Sequence, residues 1–225
     1  LYDLIGIDLM ADVVVSLGNI LPADDAFHAV GAANPAIAAM IAAGFTGDKG
    51  KGGFYCLDGT KRMVRQFAGY EGNDMPPLNP AKTKLPAAAI AAAEAAARQD
   101  EPLFMLLDGH DDQARFCRRV LGRILHYAAS LVPSVTTTPQ DIDDAMKLGF
   151  NWQRGPFEMI DAIGQQRFAA LLDECGLTVP TFLDDGAPNY SVQAGSLMVR
   201  HADGARQPVN LPEGVMRFHM TRRTL

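Results

Sequence analysis

Between Asp111 and Gly176 capping signals cut the chain into four helical segments, and no other stretch constrains the fold as tightly. Thr138-Pro139-Gln140-Asp141 is a helix start. Threonine can accept a first-turn N–H, proline sits where its missing N–H costs nothing, and aspartate meets the positive end of the dipole. That helix is predicted to run to Leu148 and end at Gly149. Gly155-Pro156 opens another, through about Ile163, and Gln165 to Glu174 makes one more, closed by Gly176. Ahead of them, Asp111 to Val132 reads as a long helix. Phe116, Val120, Ile124, Tyr127 and Leu131 recur there at three- and four-residue steps and are expected to form its buried stripe.

The N-terminal part reads similarly. Leu4 to Ile20 is apolar at helical spacing and is predicted to be a buried helix ending at Gly18, Asn19 and Pro22. Asn34-Pro35 opens a second helix with Ile37, Met40 and Ile41 as its stripe and Gly44 as its stop. A loop follows, Gly47-Asp-Lys-Gly-Lys-Gly-Gly53, then Phe54-Tyr55-Cys56 as a short extended piece turning at Asp58-Gly59. Residues 69–85 carry Pro76, Pro77 and Pro80 and are predicted to be a linker. An alanine-rich helix is expected over 87–99. Near the end, Ser196 to His201 and Arg206 to Asn210 flank Asp203-Gly204, a hairpin signal.

One short pattern repeats. Asp3-Leu-Ile-Gly6 resembles Asp161-Ala-Ile-Gly164, each opening a helical stretch. Pro35 and Pro180 then open later helices, and aromatic residues follow (Phe54-Tyr55 and Tyr190). The expected class is all-α, with two degenerate helical repeats and a short β-hairpin tail. The first copy lacks its front half, so the chain, which begins at Leu1, reads as a piece of something longer.

Composition narrows the function. Twenty Lys plus Arg stand against 26 Asp plus Glu, a net charge of −6, which argues against nucleic-acid binding. From Arg200 to Leu225 the balance reverses to +3, leaving −9 elsewhere, so this end reads as a connector to another domain. No apolar run approaches the roughly 18–20 residues that span a bilayer. Three well-separated cysteines, Cys56, Cys117 and Cys175, make no disulfide framework, and the cytoplasm is the expected compartment.

Catalytic signatures are sparse. No Gly-x-Gly-x-x-Gly follows a strand. The Gly44–Lys51 loop has one residue too many for a nucleotide P-loop, and Gly52 stands where a magnesium-binding hydroxyl is needed. Lys49 and Lys51 beside flexible glycines can meet an anionic group such as a CoA phosphate, or can be a solvated turn that docks Phe54 and Tyr55. His28, His110, His126, His201 and His219 lack metal-ligand spacing, so no metal is expected. His110 sits among Asp108, Asp111 and Asp112, where a carboxylate can orient a general base, but an exposed helix start explains the acids as well. His126 reads as a half-buried histidine. Cys117 lies beside Arg115, Arg118 and Arg119 without a partner base and reads as packing. Trp152 sits in a Gly/Pro-rich corner, Gly149 to Glu158.

That corner carries a resemblance. Asp141-Ile-Asp-Asp-Ala-Met-Lys-Leu-Gly-Phe-Asn-Trp-Gln-Arg-Gly-Pro-Phe-Glu-Met-Ile-Asp-Ala-Ile-Gly164 resembles the C-terminal helical domain of 3-hydroxyacyl-CoA dehydrogenases. Gly47 to Tyr55 resembles the glycine–lysine loop closing the preceding copy of that domain, and Tyr2 to Asp8 the segment after its Gly-Pro-Phe. The two-copy layout resembles the multifunctional bacterial enzymes of fatty-acid β-oxidation. On that resemblance residues 1–68 end a first C-terminal repeat. Residues 69–109 form the linker and alanine-rich helix, 110–190 a second repeat, and 191–225 a hairpin connector to an absent domain.

The family implies NAD-dependent oxidation of (3S)-3-hydroxyacyl-CoA to 3-oxoacyl-CoA. A histidine held by a glutamate, assisted by a serine, acts from the Rossmann domain, and an asparagine assists from the start of the first helical domain. No position here matches these four, so no catalytic residue, no cofactor-binding residue and no NAD are expected in this chain. It would wall the acyl-CoA cleft and support assembly, with a Rossmann domain, an enoyl-CoA hydratase domain and a homodimer as implied partners. The alternative is a non-catalytic helical interaction or dimerisation module.

Overall fold

A computed structural model describes residues 2–29, 31, 34–67, 74–78, 91 and 107–211. The chain divides into two compact units, residues 1–85 and 86–225. Among the described residues there are seven α-helices and two three-stranded antiparallel sheets. The expected helical content is present, and the all-α class is corrected by the sheets.

In the first unit, α1 (Tyr2–Ile5) and α2 (Ile7–Ile20) replace the single predicted helix. The break is Gly6, whose φ of 115° suits only glycine. The segment is not buried as expected: Ile7 is enclosed, whereas Leu4, Leu9, Val15 and Ile20 are exposed. Helix α3 (Pro35–Ala42) starts as predicted, with Asn34 Oδ1 accepting the Ala36 N–H at 2.9 Å, and it buries Met40. The extended piece is a full meander, β1 (Tyr55–Asp58), β2 (Lys61–Phe67) and β3 (Asp74–Leu78). Strand β3 corrects the loop reading of 69–85. Pro76 and Pro77 cannot donate to a ladder, but β3 is an edge strand, and a register irregularity between Val64 and Gln66 accompanies its pairing. Of the alanine-rich segment only Ala91 is described, and it is helical; the rest of 87–99 lies outside the described residues.

The second unit is built on α4 (Asp112–Ser130), α5 (Pro139–Phe150), α6 (Pro156–Ile163) and α7 (Gln165–Glu174). Asp111 caps α4 through the Ala114 N–H at 2.7 Å, and Thr138 caps α5 as predicted. Helix α5 runs two residues past Leu148 and closes on Asn151, left-handed at φ 55°, rather than on Gly149.

The predicted stripe of α4 faces the wrong way. Its buried face is Ala114, Gly122, Leu125, Ala128 and Ala129, while Phe116, Val120 and Ile124 are exposed, Phe116 at 67%. Apolar spacing occurs on both faces, and the small residues decide. They let α4 approach α6 and α7 closely, so that a Cβ on Gly122 would lie 3.0 Å from Cys175 Sγ. Leu125 and Ala129 then join Phe157, Ile160, Ile163, Phe168, Leu171 and Leu172 in one core. Each large side chain there contributes about 1.5–3 kcal/mol of apolar burial.

Strands β4 (Tyr190–Gln193), β5 (Ser196–Arg200) and β6 (Arg206–Pro208) form the second meander. The predicted hairpin at Asp203-Gly204 is its β5–β6 half. It does not trail as a tail through 211, because Tyr190 and Val199 are part of the helical core. Residues 212–225 lie outside the described residues.

Candidate functional site

A buried polar constellation surrounds the corner between α5 and α6. Asp143 comes from the inner face of α5 and is fully buried. Its carboxylate accepts the N–H groups of Phe157 at 2.8 Å and Glu158 at 3.1 Å, both in the first turn of α6. It also accepts the Tyr190 hydroxyl at 2.8 Å. These bonds need a glycine at the helix start, since a Cβ on Gly155 would lie 2.2 Å from Asp143 Cγ. Glu158 accepts the Gly155 N–H at 3.0 Å and pairs with Lys147 at 2.7 Å, and Asp144 lies 3.5 Å from the same ammonium. Burial pushes the Asp143 carboxyl up to about 7. The Phe157 N–H, the Tyr190 hydroxyl and Lys147 oppose the rise, and the neighbouring Glu158 adds to it. Burial, with Asp143 beside it, also holds the Tyr190 hydroxyl far above its ordinary value.

A second carboxylate fixes the other end of the same tyrosine. Asp161 accepts the backbone N–H groups of Asn189 at 2.9 Å and Tyr190 at 2.8 Å. It also takes the Asn189 amide at 2.9 Å and the Gln165 amide at 3.0 Å. Burial raises its pKa, and these donors pull it back. Arg200 lies over the Phe182 ring at 4.2 Å and pairs with Asp185.

The first unit holds a comparable clamp. Asp3 is buried and accepts the N–H groups of Phe54 at 2.9 Å and Tyr55 at 2.8 Å. A Cβ on Gly53 would meet Asp3 Oδ1 at 2.4 Å, and one on Gly47 would meet the Asp3 carbonyl at 2.4 Å. Arg65 donates to the Gly53 carbonyl at 3.1 Å and lies 3.8 Å over the Phe45 ring.

The residues singled out from sequence fall around these clamps, not into one centre. Lys49 pairs with Asp8 of α2 at 2.7 Å, and its ammonium holds the Asp8 carboxyl below the usual range. Lys51 donates to the Ala43 carbonyl behind α3 at 3.4 Å. His110 is exposed, and the acids around it are engaged elsewhere: Asp111 caps α4, Asp112 pairs with Arg115, and Asp108 with Arg167 at 3.0 Å. His126 is half-buried, which lowers its pKa against a bond with Thr178. Cys117 and Trp152 pack at the edge of the core.

Sequence reasoning missed Asp143, Tyr190, Lys147 and the work of Asp161. Asp161 and Tyr190 left a trace, in their echo of Asp3 and Tyr55. Every strand pairing among the described residues is antiparallel, so these residues form no β-α-β cradle for a dinucleotide. No group of three metal-ligating side chains occurs among them, and no described helix is long and apolar enough to cross a membrane.

Residues 116–183, from α4 past α7, match the family model described as 3-hydroxyacyl-CoA dehydrogenase, C-terminal domain. This region is a 3-hydroxyacyl-CoA dehydrogenase C-terminal domain. Asp143, Gly155, Glu158 and Asp161 lie inside the C-terminal domain, and Tyr190 follows it. The chain is 32% identical over 178 residues to a putative fatty acid oxidation complex trifunctional enzyme of Rickettsia felis, covering 79% of this chain and 23% of that protein. A namesake from Rickettsia prowazekii is 30% identical over 161 residues, 71% of this chain and 20% of its own length. A probable 3-hydroxyacyl-CoA dehydrogenase of Bacillus subtilis is 28% identical over 185 residues, 80% and 22%. The chain thus spans less than a quarter of the length of these relatives. No solved structure matches it.

Proposed function

We propose that this chain works as the C-terminal helical portion of an NAD-dependent (3S)-3-hydroxyacyl-CoA dehydrogenase of fatty-acid β-oxidation. The match of residues 116–183 to the dehydrogenase C-terminal domain carries this reading. In it, the chain walls the acyl-CoA cleft and supports assembly in the cytoplasm. NAD, the catalytic histidine and its glutamate belong to a Rossmann domain elsewhere in the enzyme. An enoyl-CoA hydratase domain is a further component, in line with the trifunctional names of the Rickettsia relatives. Lys49 and Lys51 face anionic groups of the substrate.

The two units are degenerate repeats of one helical module. Three features support this: an aspartate that opens the four-residue echo in each unit, its grip on the amides before a hairpin, and the hairpin register. Tyr55 pairs with Val64 and Asp58 with Lys61, as Tyr190 pairs with Val199 and Gln193 with Ser196. A second reading, a non-catalytic helical interaction or dimerisation module, is favoured by the exposed Phe116, Val120 and Ile124 beside Arg119 and Arg123.

The test mixes the chain with acetoacetyl-CoA and NADH and follows NADH absorbance, alone and with the separately produced Rossmann part of a relative. The expected result is no turnover alone, turnover with the Rossmann part, and a thermal shift with acyl-CoA. No turnover in either arm and no shift would favour the interaction module. Turnover by the chain alone would overturn the placement of the catalytic groups elsewhere.

A further inference from the structure

We draw no further inference here: the strongest candidate, the outer face of α4, where Phe116, Val120 and Ile124 lie exposed beside Arg119 and Arg123, carries nothing, because nothing in the structure shows what covers it.

Discussion

Asp3 and Asp161 do the same job in different company. Each is a carboxylate near the end of a helix, Asp3 buried and Asp161 partly so, each is followed after two residues by a glycine with positive φ, and each accepts two consecutive backbone N–H groups ahead of a hairpin. Around Asp161 the helices are enclosed by α4 and the sheet contributes Tyr190 and Val199 to the core. Around Asp3 the helices are only partly covered, and among the described residues the enclosed apolar side chains are Ile7 and Met40. The difference teaches that the clamp is a local device. Two amides and a carboxylate suffice to join helix to strand, whereas the apolar core needs a further helix.

The strongest way to break the parallel is through the glycines that let the carboxylates in. Gly155→Ala should destabilise the second unit by about 3 kcal/mol or more, since the new methyl collides with Asp143 on a packed helix. Gly53→Ala should cost the first unit less, because its neighbours can yield. Urea unfolding followed by unit-specific NMR signals compares them, and equal losses would mean that the two clamps sit in equally rigid settings.

Removing the acids comes next. Asp161→Ala leaves two backbone N–H groups and the Asn189 amide without an acceptor, a loss of about 3 kcal/mol. Asp3→Ala, which strips the acceptor from two N–H groups rather than four donors, should lose about 1–2 kcal/mol. Thermal melts of both variants decide, and a larger effect for Asp3 would reverse the ranking of the two settings.

The smallest expected effect is one of pH and belongs to the second unit alone. The Asp143 carboxyl titrates at about 7 when folded, above its ordinary 3.8. A pKa raised on folding gives stability that is complete below the unfolded value and lost as pH rises through the folded one. The second unit should therefore lose stability as pH rises from about 4 to about 7, and Asp143→Asn should flatten that slope. Urea midpoints across the range measure it, and an unchanged slope in the variant would assign the dependence to another group.

Much of the helical frame was legible because caps are local. Asn34, Asp111 and Thr138 each bond an N–H within three residues. The face of α4 was not, because large apolar residues mark a stripe more loudly than Gly122 or Ala129, although close packing favours the small ones. Strand β3 was hidden by prolines that an edge tolerates. Asp143 gave no signal, since its partners lie 14, 15 and 47 residues away and nothing in its neighbourhood announces a buried acid. Asp161 was visible only because it has a counterpart.

Tyr190 is held at both ends, its amide by Asp161 on α6 and its hydroxyl by Asp143 on α5. Mechanically the residue is a strut of fixed length. A pull that reaches this side chain is shared by two carboxylates on two helices, loaded in parallel rather than unzipped one after the other. The sheet is thus moored, and its strands can fray from the far edge without loosening the corner.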